Sequence, residues 1–285
     1  ELMDSILNIE LEPAPLQFEE IQVSGEKISR QNNIQFNSIK LTPLQLRSLP
    51  AMAEPDIFRT IQALPGVLTQ SEFSTGLVIR GGNTDQNLIL LDGITVYNPS
   101  HMGGVFSNFI VDAVKEANLI KGGFNAEYGG RISSVLDVIS REGNSKHFDA
   151  KYNISLLAAQ TTLEGPIYKG AWLFSARRTY FDQVFKQTGI SIPPYYFYDL
   201  QGHVFTDISA KDRLSISFYK GLDDFKYSDI DLEANWGNNT VSLNYRKLFT
   251  SKLIANFLLA QSQFHTNFTL GGESGLVSTN KIDDL

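Results

Sequence analysis

Four histidines, several glycine pairs and a set of loop aspartates are the residues of this chain that could do chemistry. The histidines are scattered, and no two have the spacing of a metal-ligand pair. They are His101, His147, His203 and His265. We expect most of them to lie at the surface or to face a pore. His101, in the loop sequence NPSHMGG, is the one candidate for contact with a substrate.

The glycine pairs and the aspartates predict turns and solvated loops rather than ligand sites. Glycine pairs begin at Gly81, Gly103, Gly122 and Gly129. None has the lysine and hydroxyl residue of a phosphate-binding loop, so tight turns are the simpler interpretation. The aspartates, among them Asp85 and Asp223, lack the spacing of an EF-hand. Because the chain has no cysteine, thiolate catalysis, disulfides and cysteine-bound zinc are excluded. We therefore expect no cofactor and no enzymatic activity.

The composition narrows the class of partner. A net charge of −7 argues against nucleic acid, because counterion release needs a basic surface. Charged residues make up 19% of the chain, below the roughly 25% of typical soluble domains. No run of about 18 apolar residues occurs, so the sequence predicts no membrane-spanning helix. The length allows about two domains.

Two glycine-punctuated stretches, Leu77–Pro99 and Ile120–Gly143, must position any site in the first half of the chain. Asp92-Gly93, between two apolar runs, predicts a tight β-hairpin. The predicted strands are Leu77–Arg80, Asn87–Leu91, Ile94–Tyr97, Asn118–Lys121 and Ser134–Ser140. This half therefore reads as an α+β globular domain.

Two helices are predicted beside these strands. Pro55 suits a first helical turn, Asp56 supplies negative charge there, and Pro65-Gly66 ends the helix. Its inward face would consist of Ile57, Phe58, Ile61 and Leu64. A second short helix is predicted over Asn108–Glu116, with Phe109, Val111 and Val114 inward.

From Lys146 onward the pattern changes to about seven alternating strands of roughly ten residues, the length of membrane-barrel strands. In LSISFYKGL, one face carries Leu214, Ile216 and Phe218, and the other carries Ser215, Ser217 and Tyr219. Short turns are predicted at Gly165–Gly170, Ala210–Asp212 and Thr250–Ser251, and long loops at Asp182–Tyr196 and Asp223–Asn238. A soluble β-sandwich would also alternate along each strand. The alternation of short and long connections favours the barrel.

Several motifs in order resemble the TonB-dependent outer-membrane receptors. The plug domain of that family has a helix ending in a Pro-Gly-Val element, here ALPGV at residues 63–67. A strand with an Arg-Gly pair follows, here VIRGG, and then a hairpin, here LDGI at residues 91–94. A tyrosine-glycine pair precedes the last plug strand, here AEYGGRISSVLDVIS at residues 126–140, and the first barrel hairpin would turn at Gly165-Pro166. The resemblance implies an α+β plug followed by the first strands of an antiparallel transmembrane β-barrel.

The resemblance also implies a contact that locks the plug to the barrel. Family plugs use two arginines against barrel carboxylates, and the matching residues are Arg80 and Lys121. Because lysine lacks the bidentate fork of arginine, we expect a weaker or differently arranged lock. Arg177 and Arg178 are expected near the outer end of a barrel strand, paired with lipopolysaccharide phosphates or a loop carboxylate.

The N-terminal segment resembles the handle that energises these receptors. EEIQVS is similar to a TonB box, whose residues here would be Glu20, Ile21, Gln22, Val23 and Ser24. Such a segment binds the energy-coupling protein by adding a strand to it. An ordinary strand is the alternative interpretation. The preceding ILNIELEP resembles the end of a carboxypeptidase-regulatory-like domain.

The expected organisation is the tail of an upstream domain at 1–16, the box and linker at 17–40, the plug at 41–145 and barrel strands at 146–285. The resemblance implies an active importer of a scarce nutrient in the outer membrane of a Gram-negative bacterium. Its partners would be a TonB-type coupling protein, outer-membrane lipid and a surface lipoprotein. A non-transporting plug-barrel component and a secreted β-rich carbohydrate-binding protein are the alternatives. About seven strands cannot close a barrel of roughly 22, so we expect a longer parent chain.

Overall fold

In a computed structural model, residues 38–48, 54–71, 74–180, 182–183, 187, 194–250, 252–271 and 275–285 are described. All of them belong to one compact unit, Asn37–Leu285. Two predictions, the strand within residues 1–16 and the box at Glu20–Ser24, lie outside the described residues. We call residues 38–143 the plug region and the eight strands that follow them the strand wall.

The described residues of the plug region form two short helices and nine strands. The helices are α1 (Pro43–Ser48) and α2 (Ile57–Gln62). The strands are β1 (Ser38–Leu41), β2 (Val67–Thr69), β3 (Leu77–Ile79), β4 (Asn87–Leu91), β5 (Ile94–Thr95), β6 (Ser100–His101), β7 (Phe106–Ser107), β8 (Val114–Ile120) and β9 (Ser134–Ser140). Five of them form one sheet in the order β1-β8-β9-β4-β5, with β4 parallel to β9 and the other pairs antiparallel. The pairs β2-β3 and β6-β7 are separate hairpins.

Helix α2 forms as the sequence predicts and packs into the core of the plug region. Asp56 is its N-cap and accepts a hydrogen bond from the Arg59 amide, which satisfies an otherwise orphaned donor. The expected inward residues Ile57, Phe58 and Ile61 are buried. The Phe58 ring meets Phe109 edge to face at 5.9 Å, so apolar contact holds the helix on the sheet.

The Asp92-Gly93 hairpin is also confirmed. Both residues have positive φ, 52° and 82°, as the tightest hairpin turns require. The Asp92 carboxylate accepts hydrogen bonds from the Ser140 amide and hydroxyl, at 2.8 and 2.7 Å. The turn is therefore tied to the end of β9, just before the chain enters the strand wall.

The second predicted helix, over Asn108–Glu116, is wrong. Only a 3₁₀ turn at Val111–Ala113 forms there, and β8 begins at Val114. The inward residues Phe109, Val111 and Val114 are nevertheless buried. Phe109 and Val111 are two residues apart, a spacing that also buries one face of an extended chain. As a strand, β8 forms hydrogen bonds with β1 on one side and β9 on the other.

The strand wall is one antiparallel sheet in which each strand pairs with the next along the chain. Its strands are β10 (Asp149–Ile154), β11 (Ala158–Ile167), β12 (Gly170–Thr179), β13 (Tyr195–Ser209), β14 (Asp212–Tyr227), β15 (Leu232–Thr250), β16 (Leu253–Leu270) and β17 (Leu276–Asp284). There are eight where the sequence predicted about seven of roughly ten residues, and β15 reaches 19 residues. None of the described helices is long and apolar enough to cross a membrane.

The alternation along β14 confirms the predicted two faces and assigns them. Ile216 and Phe218 are 46% and 37% exposed, whereas Ser217 and Tyr219 are 7% and 1% exposed. The apolar face thus points outward and the polar face points toward the plug region. This is the reverse of a soluble sandwich and matches a wall that faces lipid.

Two predicted connections of the wall are wrong. Gly165 and Pro166 lie inside β11, and the connection to β12 is Tyr168-Lys169. The expected long loop at Asp223–Asn238 is mostly paired sheet, because β14 and β15 continue to Tyr227 and from Leu232. The polar composition of this stretch misled the prediction, since Asp223 and Asn238 at its two ends are buried on the inward face of the wall and most of the polar residues between them continue as paired strand.

Candidate functional site

The interface between the plug region and the strand wall is rich in buried polar side chains, although Leu173 of the wall packs against Ile110 and Ala113 and the Tyr219 ring packs against the plug core. The wall residues that are buried and polar include Thr162, Glu164, Ser175, Arg177, Thr179, Asp199, Gln201, Ser217, Asp223, Asn238, Thr240, Ser242 and Ser262. Three groups of hydrogen bonds and ion pairs cross the interface. The first group lies around His101.

His101, at the end of β6, is held between two strands of the wall. Its Nε2 lies 2.8 Å from Asp199 Oδ1 on β13, and its Nδ1 lies 2.7 Å from Asp223 Oδ2 on β14. The imidazole stacks on the Phe197 ring at 4.1 Å and is only 1% exposed. Both nitrogens and one ring face therefore contact the wall.

Asp199 is the centre of this cluster. Its Oδ2 accepts two hydrogen bonds from the Arg177 guanidinium, at 2.6 and 2.8 Å. Its Oδ1 accepts the Tyr219 hydroxyl at 2.7 Å in addition to His101. Since every bond involves a buried donor, the carboxylate is fully satisfied without water.

Arg177 extends the cluster back into the plug region. One guanidinium nitrogen donates to the Ser107 carbonyl at 2.7 Å, and another lies 3.3 Å from Glu54. The Ser107 amide donates to the N-cap carboxylate of Asp56 at 2.6 Å. A chain of hydrogen bonds thus connects the start of α2 to two strands of the wall.

Asp223 fixes the backbone beside His101. Its Oδ1 accepts the Met102 amide at 3.0 Å and the Tyr195 hydroxyl. Met102 and Gly103 have positive φ, 55° and 64°, which lets the chain turn tightly after His101. The Val105 amide donates back to the His101 carbonyl at 2.9 Å. We call residues 97–104 the apical loop.

The second group lies where the plug region joins the wall. Arg141 donates to both oxygens of Glu164, at 2.6 and 2.7 Å, and Glu142 pairs with Arg213 at 3.0 Å. At Gly143 a Cβ would lie 2.4 Å from the Trp172 carbonyl, so only glycine lets the chain pass this close to β12. This junction is charged and sterically tight.

The third group is neutral. Asn238 donates to the Asn98 carbonyl at 2.8 Å, and its Oδ1 accepts the Tyr97 amide at 3.3 Å. Ser262 donates to the Thr95 carbonyl at 2.6 Å. These bonds extend the polar interface along β15 and β16, beside the apical loop.

Comparison with known proteins identifies the first domain. Residues 44–135 match the family described as the TonB-dependent receptor plug domain. The plug region is a TonB-dependent receptor plug. This family and the apolar outer face of the wall both indicate that the protein is located in the outer membrane of a Gram-negative bacterium.

Solved structures of such receptors contain the plug and the first wall strands described above. A mutant of the ferric enterobactin receptor PfeA from Pseudomonas aeruginosa superposes with a TM-score of 0.63 at 15% identity, covering 89% of this chain and 46% of that one. The siderophore receptor PirA from Acinetobacter baumannii gives 0.59 at 14% identity, with coverages of 90% and 45%. The outer-membrane transporter YddB from Escherichia coli gives 0.64 at 12% identity, with coverages of 85% and 42%. The chain therefore spans about half the length of these receptors and has the fold of their plug and of part of their barrel.

The two residues expected to lock the plug make no such contact among the described residues. Lys121 donates to the Pro65 carbonyl at 2.7 Å, which is a bond within the plug. Arg80 is exposed in a turn with φ of 50°. Neither forms an ion pair with the described part of the strand wall, whose ion pairs with the plug include those of Arg141, Glu142, Arg177 and His101. A lock at Arg80 and Lys121 stays a prediction.

Two other expectations are wrong. His101 was expected at a surface or against a substrate, but it is buried and both its nitrogens are bonded to carboxylates. Arg177 was expected to pair with lipopolysaccharide phosphates or a loop carboxylate near the outer end of its strand, but it points inward and pairs with Asp199 of the wall and Glu54 of the plug. Arg178 points the other way and pairs with Asp182, a loop carboxylate, at 2.9 Å. Side chains alternate between the two faces along a strand, so neighbouring Arg177 and Arg178 must point to opposite faces. Arg177 and Asp199 are direct partners in the strand register and share the inward face.

A polar cleft of about 750 Å³ lies between the plug and the wall on the other side of the plug sheet. Its lining includes Asp92, Glu127 and Asp137 from the plug and Ser217 and Asn244 from the wall. Burial, together with the charges of neighbouring carboxylates, raises the pKa of Asp137 to about 6. No cluster of metal-binding side chains occurs in the part of the chain that the structure describes. The site is therefore a plug–wall interface whose chemistry is hydrogen bonding and charge pairing.

Proposed function

We propose that this chain is the plug and part of the barrel of a TonB-dependent active transporter, which imports a scarce nutrient across the outer membrane. The polar character of the plug–wall interface is the observation that supports it. Exposing an apolar interface costs about 25 cal/mol per Å². Replacing an internal hydrogen bond by one to water costs about 0.5–1.5 kcal/mol net. A plug held in this way can be displaced from the wall and return.

The plug is suited to move as a folded body. Its own core is apolar and continuous, from Leu41 and Leu46 through α2 to Leu136 and Val138. A pull on the N-terminal side of the plug would therefore separate the polar plug–wall interface, which water can enter, before it unfolds the apolar core. The pull would come from a TonB-type protein that grips Glu20, Ile21, Gln22, Val23 and Ser24 as an added strand.

The substrate is proposed only as a class. Structures similar to this chain include receptors described as binding ferric enterobactin and a protein described as a copper transporter. A siderophore or another scarce solute such as an oligosaccharide fits an importer of this kind. Growth of a deletion strain on siderophores, oligosaccharides, peptides and cobalamin, with and without the full-length gene, identifies the class.

A reversible crosslink tests whether the plug must move. These 285 residues have no cysteine, so once any cysteine elsewhere in the full-length receptor is replaced by serine, Thr95→Cys with Ser262→Cys introduces a single disulfide pair, at a place where the Ser262 hydroxyl lies 2.6 Å from the Thr95 carbonyl. In the full-length receptor we expect the oxidised double variant to bind substrate but not to import it. Reductant should restore import, and each single variant should behave as wild type.

The alternative is a receptor-like component that binds without transporting. Full import with the plug crosslinked, confirmed by gel shift, would overturn the gating proposal. Substrate binding without import in wild type would favour the alternative. Coupling is tested by a crosslink from position 21 to the TonB-type protein, which Val23→Pro should abolish because proline removes a strand hydrogen bond.

A further inference from the structure

The hydrogen bonds of His101 specify its charge. A neutral imidazole has one N–H donor and one bare nitrogen, and an ionised carboxylate only accepts. Both His101 nitrogens lie within 2.8 Å of carboxylate oxygens, on Asp199 and Asp223. With both carboxylates ionised, both nitrogens donate, which makes His101 an imidazolium cation buried between the plug and the wall.

The charge balance of the cluster depends on this proton. Three carboxylates, Glu54, Asp199 and Asp223, face two cations, Arg177 and His101, so the formal net charge is −1. Loss of the proton from His101 changes the formal net charge of the cluster to −2, and the side chains of the cluster are almost fully buried. Because Arg177 pairs with Asp199 and Glu54, Asp223 would then have no cation beside it. An uncompensated buried charge is strongly destabilising.

We propose that His101 is a proton-operated latch, which ties the apical loop of the plug to β13 and β14 while protonated and releases it on losing that proton. The inference rests on the proposed function, since it names the contact that has to open when the plug is displaced. The contact of His101 with Asp199 and Asp223 would then hold the plug to the wall in place of the contact expected at Arg80 and Lys121.

The electrostatic environment supports this assignment. Burial alone would lower the pKa of His101, but the charges of Asp199 and Asp223 and their hydrogen bonds outweigh it and raise the pKa above its ordinary value. The ionisable groups that face His101 from the packed strands are Arg177, Tyr195, Asp199, Tyr219 and Asp223. The sum of their ionic charges is negative, so they hold a proton on the ring.

The direction of the pH effect follows from linkage. A raised pKa in the latched state means that the latch is strongest below the ordinary histidine pKa and weakens as pH rises through the raised value. Between the ordinary and the raised pKa the equilibrium between latched and released loop shifts by up to about tenfold per pH unit, because opening then releases one proton; above the raised value it no longer changes with pH. Displacement of the plug exposes His101 to water and returns its pKa toward the ordinary value. Near neutral pH, opening is therefore accompanied by proton release.

Two measurements on the full-length receptor test the latch. Nitrogen NMR of histidine-labelled receptor at pH 7.5, with His101 assigned through His101→Gln, should give two protonated ring nitrogens for His101. Hydrogen exchange of residues 97–107, corrected for intrinsic rates, should lose protection as pH rises in wild type. In His101→Gln the protection should be low and independent of pH. His203→Gln is the matched control, because His203 bonds only the neutral Ser217 hydroxyl across its strand pair, and it should behave as wild type.

A neutral His101 at pH 7.5 would overturn the proposal. So would equal protection of the apical loop in wild type and His101→Gln across the pH range. If the glutamine variant fails to assemble, Asp223→Asn should lower the pKa of His101 and move the loss of protection to lower pH. The exchange experiment needs no substrate and no coupling protein, so failed import with an intact latch would count against the transport proposal alone.

Discussion

The plug core and the plug–wall interface bury opposite kinds of side chain. In the core, Phe58, Ile61 and Leu136 are sealed among other apolar residues. At the interface, Arg177, Asp199 and His101 are equally buried, yet each is fully hydrogen bonded. The first arrangement holds a fold together, because apolar surface cannot be returned to water cheaply. The second holds two bodies in register and still permits separation, because water can replace each bond.

A core truncation should give the largest effect. Phe58→Ala removes a ring that is 2% exposed and stacked edge-on against Phe109, so we expect the plug to lose about 4 kcal/mol of stability. Urea-dependent hydrogen exchange of the plug amides in the receptor measures it. Leu44→Ala, at a site 81% exposed, is the matched control and should change stability by less than about 0.5 kcal/mol. Equal effects at the two sites would contradict the assignment of the core.

Removing the interfacial cation should loosen the plug without unfolding it. Arg177→Met leaves Asp199 and Glu54 buried without their partner, which we expect to cost about 3 kcal/mol in plug–wall association. Exchange should accelerate in residues 100–107 while the plug core stays protected. Arg178→Met, next along the strand but outward and half exposed, should cost at most about 1 kcal/mol. Loss of protection throughout the plug core would remove the distinction between fold and interface.

The smallest effect should appear in the acidic cleft, as a change with pH. The pKa of Asp137 is about 6, above its ordinary 3.8, so the folded plug holds this proton more tightly than the unfolded chain. Stability from this carboxyl is therefore greatest at low pH and is lost as pH rises from about 4 to about 6. Asp137→Asn should stabilise the plug by roughly 2 kcal/mol at pH 7 and leave it nearly unchanged at pH 4. The exposed Asp85→Asn is the control, and a gain that does not vary with pH would refute the electrostatic cause.

Local patterns predicted the elements whose hydrogen bonds are close in sequence. β4, β9 and the Asp92-Gly93 turn have the predicted bounds, and the wall strands pair with their immediate neighbours. The failures have a common physical origin. The predicted strand at Asn118–Lys121 begins earlier, at Val114, because β1 and β9 flank it. Asp223 is buried because His101, 122 residues earlier, bonds to it. The site around His101 needed three strands aligned across such separations, which no local spacing encodes.

The extra length of the wall strands has a consequence for the outer side of the receptor. A strand of 19 residues, at roughly 3.4 Å per residue and a tilt of about 40°, rises roughly 50 Å. The apolar band of such a wall is only about 25 Å tall. The hydrogen-bonded ladder of β14 with β15 continues to Tyr227 and Leu232. The paired sheet of these two strands is therefore taller than such a band, and part of it stands beyond the lipid as hydrogen-bonded strand instead of loose loop.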